Sequence, residues 1–285
     1  MMKRVWPGRP RRYFSIRHDP AYPTTKHSNC RSQVFDTMAP DPFFYQVFEH
    51  IPRQGPGCSG ATRKVFSLLP SLPGNAAILD VGCGSGTQTM DLAGFARGTI
   101  TAVDNHQPFL DTLAARAQDG GYSGRINTVN ASMDALPFEP GQFDLVWSEG
   151  AIFIIGFEKG LTAWKPFVKK GGFIVVSDAA WFEPHPPQEL VQFWESEGYV
   201  PGTENQLKEQ VRSVGLRLAG TYRLPEAGWW ENYYVPMLVR LEELRRTHGS
   251  DRGCAAILAS LQREAEIYKN YKRFYGYTFF IMQKT

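Results

Sequence analysis

Residues 77–88 read AILDVGCGSGTQ, and this stretch decides the fold of the chain. A short apolar run leads directly into Asp80, which Gly82, Gly84 and Gly86 follow at two-residue spacing. In an open α/β sheet, ligands lie beyond the carboxyl ends of the strands, and glycines there let the backbone approach a ligand closely. The stretch therefore predicts a buried strand that ends in a ligand-binding loop.

A second predicted strand, TITAVD at residues 99–104, ends on Asp104. An acid at this position in a nucleoside site accepts hydrogen bonds from the ribose hydroxyls. The alternative is that Asp104 caps the next helix, and the neighbouring Asn105 either contacts the ligand or faces solvent. The two strand ends together predict a nucleoside ligand.

The glycine loop distinguishes between two classes of nucleoside cofactor. Dinucleotide enzymes use GxGxxG and place the pyrophosphate at the helix N-terminus, but here Thr87 stands where the third glycine would fall. Asp80 would also repel a pyrophosphate. S-adenosylmethionine (SAM) has no phosphate, and its α-ammonium group attracts a carboxylate. The loop therefore favours SAM over NAD.

From residue 61 onward, helical and strand-like patterns alternate, which is typical of βαβ units and a mainly parallel sheet. Strands are predicted at residues 76–81, 99–104, 126–130, 143–148, 173–177, 216–224 and 277–283. Helices are predicted between them at residues 61–69, 89–96, 107–118, 158–169 and 203–214. About 50 residues separate the last two strands, and helical patterns at 235–246 and 255–271 predict a cap over the carboxyl edge of the sheet.

The composition is typical of a water-soluble globular protein, with 42% hydrophobic and 21% charged residues. No apolar run approaches the roughly 18 residues that cross a bilayer. The 4 cysteines contain no CxxC pair, so neither a disulfide framework nor a metal site is predicted. A reducing cytoplasm is the predicted location.

The first 37 residues differ from the remainder in charge. They contain eight Lys or Arg and two acids, which leaves the rest of the chain at about −3. Because the segment is rich in Arg and Pro and has no periodicity, it is predicted to be a disordered basic arm without the apolar core of a signal peptide. Three interpretations are open: an upstream extension with the working start near Met38, a nucleic-acid tether, or a transit segment.

These motifs resemble those of the class I SAM-dependent methyltransferases. DVGCGSG at residues 80–86 is similar to their first motif, AVDNH at 102–106 to the second, and SMDALPFEPGQFDLVWSEGA at 132–151 to the adenine and following segments. The chain is most similar to small stand-alone enzymes grouped with the quinone-biosynthesis and arsenite methyltransferases, including RQGPG at 53–57. The resemblance extends from Asp41 to the C-terminus. It implies a Rossmann-like, seven-stranded, mainly parallel sheet with a reversed last strand and helices on both faces.

The predicted organisation surrounds one SAM-binding core with two added segments. Residues 61–225 and 275–285 form the core, residues 38–60 form an N-terminal flap, and residues 226–274 form a helical cap at the acceptor side. In the flap, Gln54 is a candidate partner for the methionine carboxylate of SAM.

The adenine end of the predicted cofactor site departs from the family pattern. Relatives of the quinone type carry an acid four residues before the leucine of LPF, where this chain has Ser132. Ser132 accepts the same hydrogen bond more weakly, Asp134 is the alternative through a shifted loop, and Met133 is expected to pack on the ring. The complete predicted cofactor set is Gln54, Asp80, Gly82, Cys83, Gly84, Gly86, Asp104, Asn105, Ser132, Met133, Asp134 and Ser148.

Methyl transfer from a sulfonium is an in-line displacement, which needs alignment and removal of the acceptor's proton. Glu149, after the fourth strand, is a candidate base, or alternatively a structural carboxylate at the Gly150 turn. His185, on the loop after the fifth strand, is a second candidate, or a solvated loop histidine. Tyr233 is a third candidate, in an aromatic group with Trp181, Trp229, Trp230 and Tyr234. This group either lines an acceptor pocket or is ordinary packing of the cap.

The predicted function is SAM-dependent methyl transfer to a small-molecule acceptor, with S-adenosylhomocysteine as the product. Nucleic acid is not expected as the acceptor, because the body lacks a basic stripe with interleaved aromatics and SEGA stands where amino-directed enzymes carry NPPY. Arsenite is disfavoured because the cysteines are not grouped. No membrane partner is expected, and the protein is a monomer or a homodimer. The alternatives are a non-catalytic SAM-binding partner or sensor and a dehydrogenase.

Overall fold

The computed structural model of the chain describes residues 42–70 and 72–285. The basic arm at residues 1–37 and the first residues of the predicted flap, 38–41, lie outside the described part. Among the described helices, none combines the length and the hydropathy that a bilayer span requires.

The described residues form one sheet with helices on both faces. The strands are β1 (Ala77–Val81), β2 (Thr99–Asp104), β3 (Ile126–Asn130), β4 (Phe143–Glu149), β5 (Val168–Trp181), β6 (Gly202–Thr203), β7 (Arg217–Arg223) and β8 (Tyr275–Gln283). The α-helices are α1 (Pro42–Phe48), α2 (Ser59–Ser67), α3 (Thr87–Phe95), α4 (Gln107–Asp119), α5 (Phe157–Trp164), α6 (Gln188–Ser196), α7 (Glu204–Ser213), α8 (Glu226–Trp229), α9 (Val235–His248) and α10 (Arg252–Tyr271).

The strand order is β3-β2-β1-β4-β5-β8-β7, and the short β6 pairs with the end of β5. Strands β1 to β5 pair in parallel, whereas β8 runs antiparallel to both β5 and β7. The predicted parallel sheet with a reversed last strand is confirmed. The two-residue β6 makes it an 8-stranded sheet instead of a seven-stranded one.

Strand β1 shows why the first motif is continuously apolar. Ile78 packs into the hydrophobic core on one face of the sheet and Leu79 into the core on the other, and both are fully buried. Because successive strand residues point to opposite faces, a central strand covered by helices on both sides needs apolar residues at every position.

The fifth strand differs most from its prediction. Helix α5 ends at Trp164, a 3₁₀ turn follows at Lys165–Phe167, and β5 begins at Val168. Pro166 lies in this turn and has no N–H for a helical hydrogen bond, so the helix predicted to residue 169 ends early. At the other end, Ser177 is the last β5 residue paired with β4, opposite Glu149, and β5 continues along β8 to Trp181.

Helix α7 forms as its capping-box pattern predicts. The Gln206 N–H donates to the Thr203 hydroxyl over 3.2 Å, and the Thr203 N–H donates to the Gln206 side chain over 2.7 Å. Gly215, with φ of +71°, lies just beyond the helix end and adopts the left-handed conformation that glycine favours.

The predicted helical cap lies between β7 and β8 and consists of α8, a π-helix at Trp230–Tyr234, α9 and α10. It meets the N-terminal segment. The Gly57 N–H donates to the Gly228 carbonyl over 2.9 Å, and the Phe48 ring stacks on the Tyr233 ring with centroids 6.5 Å apart. Helix α1 was not predicted, because its seven residues obtain their burial from this distant packing.

Candidate cofactor and active site

The glycine loop after β1 has a conformation that side chains do not tolerate. Gly82, Gly84 and Gly86 have φ of +71°, +53° and +82°, in the left-handed region. A Cβ at Gly82 would also lie 2.5 Å from the Cβ of Ala151, and one at Gly84 would lie 2.4 Å from Oε1 of Gln54. The spacing of the three glycines therefore follows from backbone shape and close packing.

Asp80 is fully buried at the start of this loop. The Thr89 hydroxyl donates to its Oδ2 over 2.6 Å, while its Oδ1 receives no hydrogen bond from the described residues. Burial raises the pKa of Asp80 to about 7, although the side chains of Thr89 and Gln88 work in the opposite direction. A buried carboxylate oxygen without a donor is costly, so this atom fits a cationic donor such as the α-ammonium group of SAM.

Asp104 connects the end of β2 to the glycine loop. Its Oδ2 accepts the Gly84 N–H over 2.9 Å, and its Oδ1 accepts the His106 N–H over 3.0 Å. Burial raises the pKa of Asp104, and these backbone donors lower it. His106, not Asp104, is the N-cap residue of α4. Each carboxylate oxygen has a further lone pair for a ribose hydroxyl, and Asn105 beside it is exposed.

The segment after α1 packs directly on the glycine loop. Oε1 of Gln54 accepts the Ser85 N–H over 2.7 Å, and its Nε2 donates to the Phe48 and Ile51 carbonyls over 3.0 and 3.2 Å. The Pro52 carbonyl accepts a hydrogen bond from the Thr87 hydroxyl. Gln54 thus lies at the loop, but its amide group is engaged by the backbone, so its contact with a SAM carboxylate stays a prediction.

The adenine segment brings two of its predicted residues together. The Ser132 hydroxyl donates to Oδ1 of Asp134 over 2.6 Å, and both side chains are exposed. The Met133 side chain reaches the loop, where its Cε lies 3.5 Å from the position of a Cβ on Gly82. Met133 is therefore the member of this segment that lies nearest to the glycine loop.

Two further predicted cofactor residues are enclosed by protein. The Ser148 hydroxyl donates to the Val81 carbonyl over 2.8 Å and links β4 to β1. The Cys83 N–H donates to the Val103 carbonyl over 2.9 Å, and burial raises the pKa of the Cys83 thiol. Both residues hold the strand ends in place by contacts within the sheet, and their predicted cofactor contacts stay predictions.

Glu149 has three partners within the protein. Its Oε1 accepts the Thr62 hydroxyl over 2.7 Å and the Trp147 indole N–H over 3.0 Å, and its Oε2 accepts from Nη1 of Arg53 over 3.3 Å. Nη2 of Arg53 also reaches Asp91 over 3.4 Å. These contacts favour the structural role over the predicted base. The Gly150 N–H does not contact Glu149; it donates to the Ser177 hydroxyl over 2.9 Å.

Arg53 was predicted only as part of the N-terminal flap, and its ion pair with Glu149 was not predicted; Thr62, Asp91 and Tyr277 were not predicted at the site. Arg53, Thr62 and Asp91 come from the N-terminal segment, α2 and α3, and no periodic pattern relates them to Glu149 on β4. The aromatic-rich start of β8 was the available signal for Tyr277, whose hydroxyl lies 3.3 Å from the position of a Cβ on Gly150.

The other two predicted catalytic residues lie in different places. Tyr233 is buried in the cap, and burial raises the pKa of its hydroxyl well above the ordinary value. His185 is exposed on the loop beyond β5, in a surface recess with Glu183, Arg273 and Phe274. That recess contains no residue of the glycine loop.

Known proteins match the part of the chain that carries this geometry. The family model described as "Methyltransferase domain" matches residues 78–172, from β1 into β5. The chain is 27% identical over 163 residues to the uncharacterized methyltransferase YodH of Bacillus subtilis (strain 168), covering 57% of this chain and 68% of YodH. It is 31% identical over 108 residues to the ubiquinone/menaquinone biosynthesis C-methyltransferase UbiE of Geobacter sp. (strain M21), covering 37% of this chain and 46% of UbiE.

The chain is therefore similar to methyltransferases, and residues 78–172 match a methyltransferase domain. Its fold agrees with the SAM-dependent methyltransferase from Geobacter sulfurreducens in complex with S-adenosyl-L-homocysteine, with a TM-score of 0.73 at 18% identity, over 86% of this chain and 99% of that one. That neighbour is described with S-adenosyl-L-homocysteine bound, and in this chain Asp80 and Asp104 at the glycine loop fit the SAM that the sequence predicts. The match to a methyltransferase domain favours methyl transfer over the dehydrogenase alternative. The match spans less than half of UbiE, so the acceptor of that enzyme is not assigned to this chain.

Proposed function

We propose that this methyltransferase transfers the methyl group of SAM to a small-molecule acceptor held between the end of β4 and the helical cap. The observation that carries the proposal is the enclosure of this edge. The N-terminal segment bonds to the cap through Gly57 and Gly228 and to the glycine loop through Gln54 and Ser85. An edge covered on both sides suits a small molecule better than an extended polymer.

For the cofactor end of the site, the proposed roles follow from the free hydrogen-bonding capacity of two carboxylates. Oδ1 of Asp80 binds the α-ammonium group, and the carboxylate of Asp104 binds the ribose hydroxyls. Met133 packs against the adenine, and the pair of Ser132 and Asp134 is available to its amino group. SAM supplies a methyl group made electrophilic by the sulfonium.

The reaction needs few groups from the chain. An acceptor lone pair forms the new bond to the methyl carbon, and the carbon–sulfur bond breaks with its electron pair staying on sulfur in S-adenosylhomocysteine. A proton carried by the acceptor atom passes to solvent water. The chain's task is alignment. We assign Glu149 to that task as a positioning residue, because it ties Arg53 and Thr62 to the end of β4 next to Gly150.

Incubation of the full chain with isotope-labelled SAM and a cell extract tests the proposed function. The extract is divided into a small-molecule fraction and a macromolecular fraction of protein and nucleic acid. We expect the label in one small-molecule product, identified by its mass, with an equal amount of S-adenosylhomocysteine. Label confined to macromolecules would reject a small acceptor. Tight SAM binding without turnover in either fraction would favour the sensor alternative.

Two truncations test the N-terminal segment. Deletion of residues 1–37 is expected to leave SAM affinity unchanged, because this deletion removes none of the described contacts to the glycine loop. Deletion of residues 1–57 is expected to weaken SAM at least about 10-fold, since it removes the hydrogen bonds of Gln54 and Pro52, each contributing about 1 kcal/mol. Calorimetric titration with SAM measures both.

The point variant Gln54→Ala is the matched control for the longer truncation, because it removes the loop contact and keeps Arg53. Weaker SAM binding after loss of residues 1–37, or unchanged binding after loss of residues 1–57, would contradict the proposed flap.

A further inference from the structure

Six buried aromatic side chains of the cap and the last strand form one group, which we call the cap cluster. Trp229 is at its centre: its ring lies 4.6 Å from Tyr268 in a stacked arrangement, 4.6 Å from Tyr277 and 5.8 Å from Tyr275 between centroids. The cap cluster consists of Trp229, Tyr233, Tyr234, Tyr268, Tyr275 and Tyr277.

Glu264 places a carboxylate against the cap cluster. Its Oε1 accepts the Tyr234 hydroxyl over 3.1 Å. Residues 42–70 and 72–285 provide it with no ion-pair partner, and burial raises the pKa of Glu264 to about 7. Its negative charge also helps to raise the pKa of the Tyr233 and Tyr275 hydroxyls. Glu264 is half-buried, and a partly desolvated carboxylate without a cation is stabilised where a ligand supplies one.

Two polar atoms of the cap cluster have no partner within the described residues. They are Nε1 of Trp229, whose side chain is 3% exposed, and the hydroxyl of Tyr275, which is 1% exposed. Buried polar groups are nearly always hydrogen-bonded, so each of these needs a partner. The tyrosine hydroxyl can accept an N–H, whereas the indole can only donate, which calls for an oxygen on the ligand.

The cap cluster is connected to the end of β4, where the proposed transfer takes place. Tyr277 contacts Trp229 on one side, and on the other its hydroxyl lies 3.3 Å from the position of a Cβ on Gly150. Tyr233 and Tyr234 belong to the π-helix Trp230–Tyr234. Such helices are rare and occur frequently at functional sites.

We propose that the cap cluster, together with the carboxylate of Glu264, binds an ammonium group of the methyl acceptor. This inference rests on the proposed function and gives the substrate class: a small amine that also carries a hydrogen-bond-accepting oxygen. Aromatic faces and a carboxylate attract an organic cation, and a desolvated cation gains most from them. The ligand oxygen accepts from the Trp229 indole N–H and the Tyr275 hydroxyl, and the cationic group lies against the Glu264 carboxylate and the aromatic faces.

Two probes of the same shape test the charge requirement. Choline and 3,3-dimethylbutan-1-ol both carry a hydroxyl, and they differ in having a cationic nitrogen or a neutral carbon. Calorimetric titration uses the full chain saturated with S-adenosylhomocysteine. We expect choline to bind at least about 10-fold more tightly than the alcohol, as a desolvated cation–π contact of about 2 kcal/mol or more implies.

Glu264→Gln is expected to lower choline affinity by a factor of about 10 or more and to leave S-adenosylhomocysteine affinity unchanged. Glu266→Gln is the matched control, since Glu266 lies on the same helix α10 but is exposed. It is expected to change neither affinity. Comparison of the two probes on the unaltered chain keeps the test decisive even where Glu264→Gln does not fold.

Equal affinity for both probes, or no binding of choline by a chain that binds S-adenosylhomocysteine, would overturn the ammonium site. Unchanged choline affinity in folded Glu264→Gln would remove Glu264 from it. These outcomes differ from failure of the proposed function, which appears as loss of S-adenosylhomocysteine binding or as label confined to macromolecules in the extract experiment.

Discussion

Asp80→Asn is expected to weaken SAM binding by roughly 100-fold, because one charge-assisted hydrogen bond contributes about 1.5–3 kcal/mol. The structural reason is the unpartnered, fully buried Oδ1, which the substitution replaces with a neutral group. Titration calorimetry with SAM at pH 7.5 measures the change.

The pH dependence of SAM affinity tests the same assignment. Since burial raises the pKa of Asp80 to about 7, the free enzyme holds a protonated carboxyl group below that pH, and SAM must displace the proton. Affinity is expected to rise as pH increases through about 7 and to fall again above about 8, where an α-amino group loses its proton. In Asp80→Asn the rise is expected to disappear while the fall remains.

Rising pH is expected to strengthen SAM binding through Asp80 but to lower the stability of the SAM-free protein. The pKa of Asp80 in the folded chain lies above the ordinary value of 3.8, so the folded state binds the proton more tightly than the unfolded one. The contribution of Asp80 to the stability of the SAM-free protein is therefore largest at low pH and is lost as pH rises towards 7. Asp80→Asn is expected to be more stable than the unaltered chain at pH 8, as urea unfolding would show.

Asp178 supplies a matched control for these measurements. It is a fully buried carboxylate on β5, and burial raises its pKa to about 7, although hydrogen bonds from the Tyr199 side chain and the Ala179 N–H work in the opposite direction. Asp178→Asn is expected to leave SAM affinity unchanged. Equal losses of SAM affinity in both variants would mean that neutralising a buried acid disturbs the fold in general, and the Asp80 assignment would fail.

Arg53→Met is expected to lower the free energy of unfolding by about 3–5 kcal/mol, because it leaves the Glu149 carboxylate buried without its cation. The two side chains are 3.3 Å apart and nearly excluded from solvent. The double variant Arg53→Met with Glu149→Gln is expected to recover part of that loss, since it removes both charges. Urea unfolding of the two single variants and the double variant measures this coupling.

Turnover of Glu149→Gln decides between its two roles. If Glu149 is a positioning residue, the activity of Glu149→Gln should fall in proportion to its loss of stability, and the double variant should regain part of that activity. As a general base, it should lose a factor of about 100 or more in kcat at unchanged stability and SAM affinity. The second result would overturn the positioning assignment and restore the base.

Local patterns were sufficient for most elements of the sheet. Strands Thr99–Asp104 and Ile126–Asn130 have the predicted bounds, because each is a short run rich in β-branched residues between clear turns. Helix α6 was not predicted. The full length of β5 was not predicted either, because the residues beyond Ser177 owe their strand conformation to pairing with β8, almost 100 residues away. A strand that depends on a distant partner has no local signature.

The cofactor side of the protein was determined by its sequence, because backbone shape and one charge decide it: glycines at left-handed positions, Asp80 before them and Asp104 at the next strand end. The opposite side was decided by tertiary structure. Only folding joins Glu149 to Arg53, and only folding brings Glu264 to Tyr234 and Trp229 to Tyr277 in the cap cluster. The physical reason is that burial and long-range pairing set what these side chains do, and neither property is encoded in local sequence.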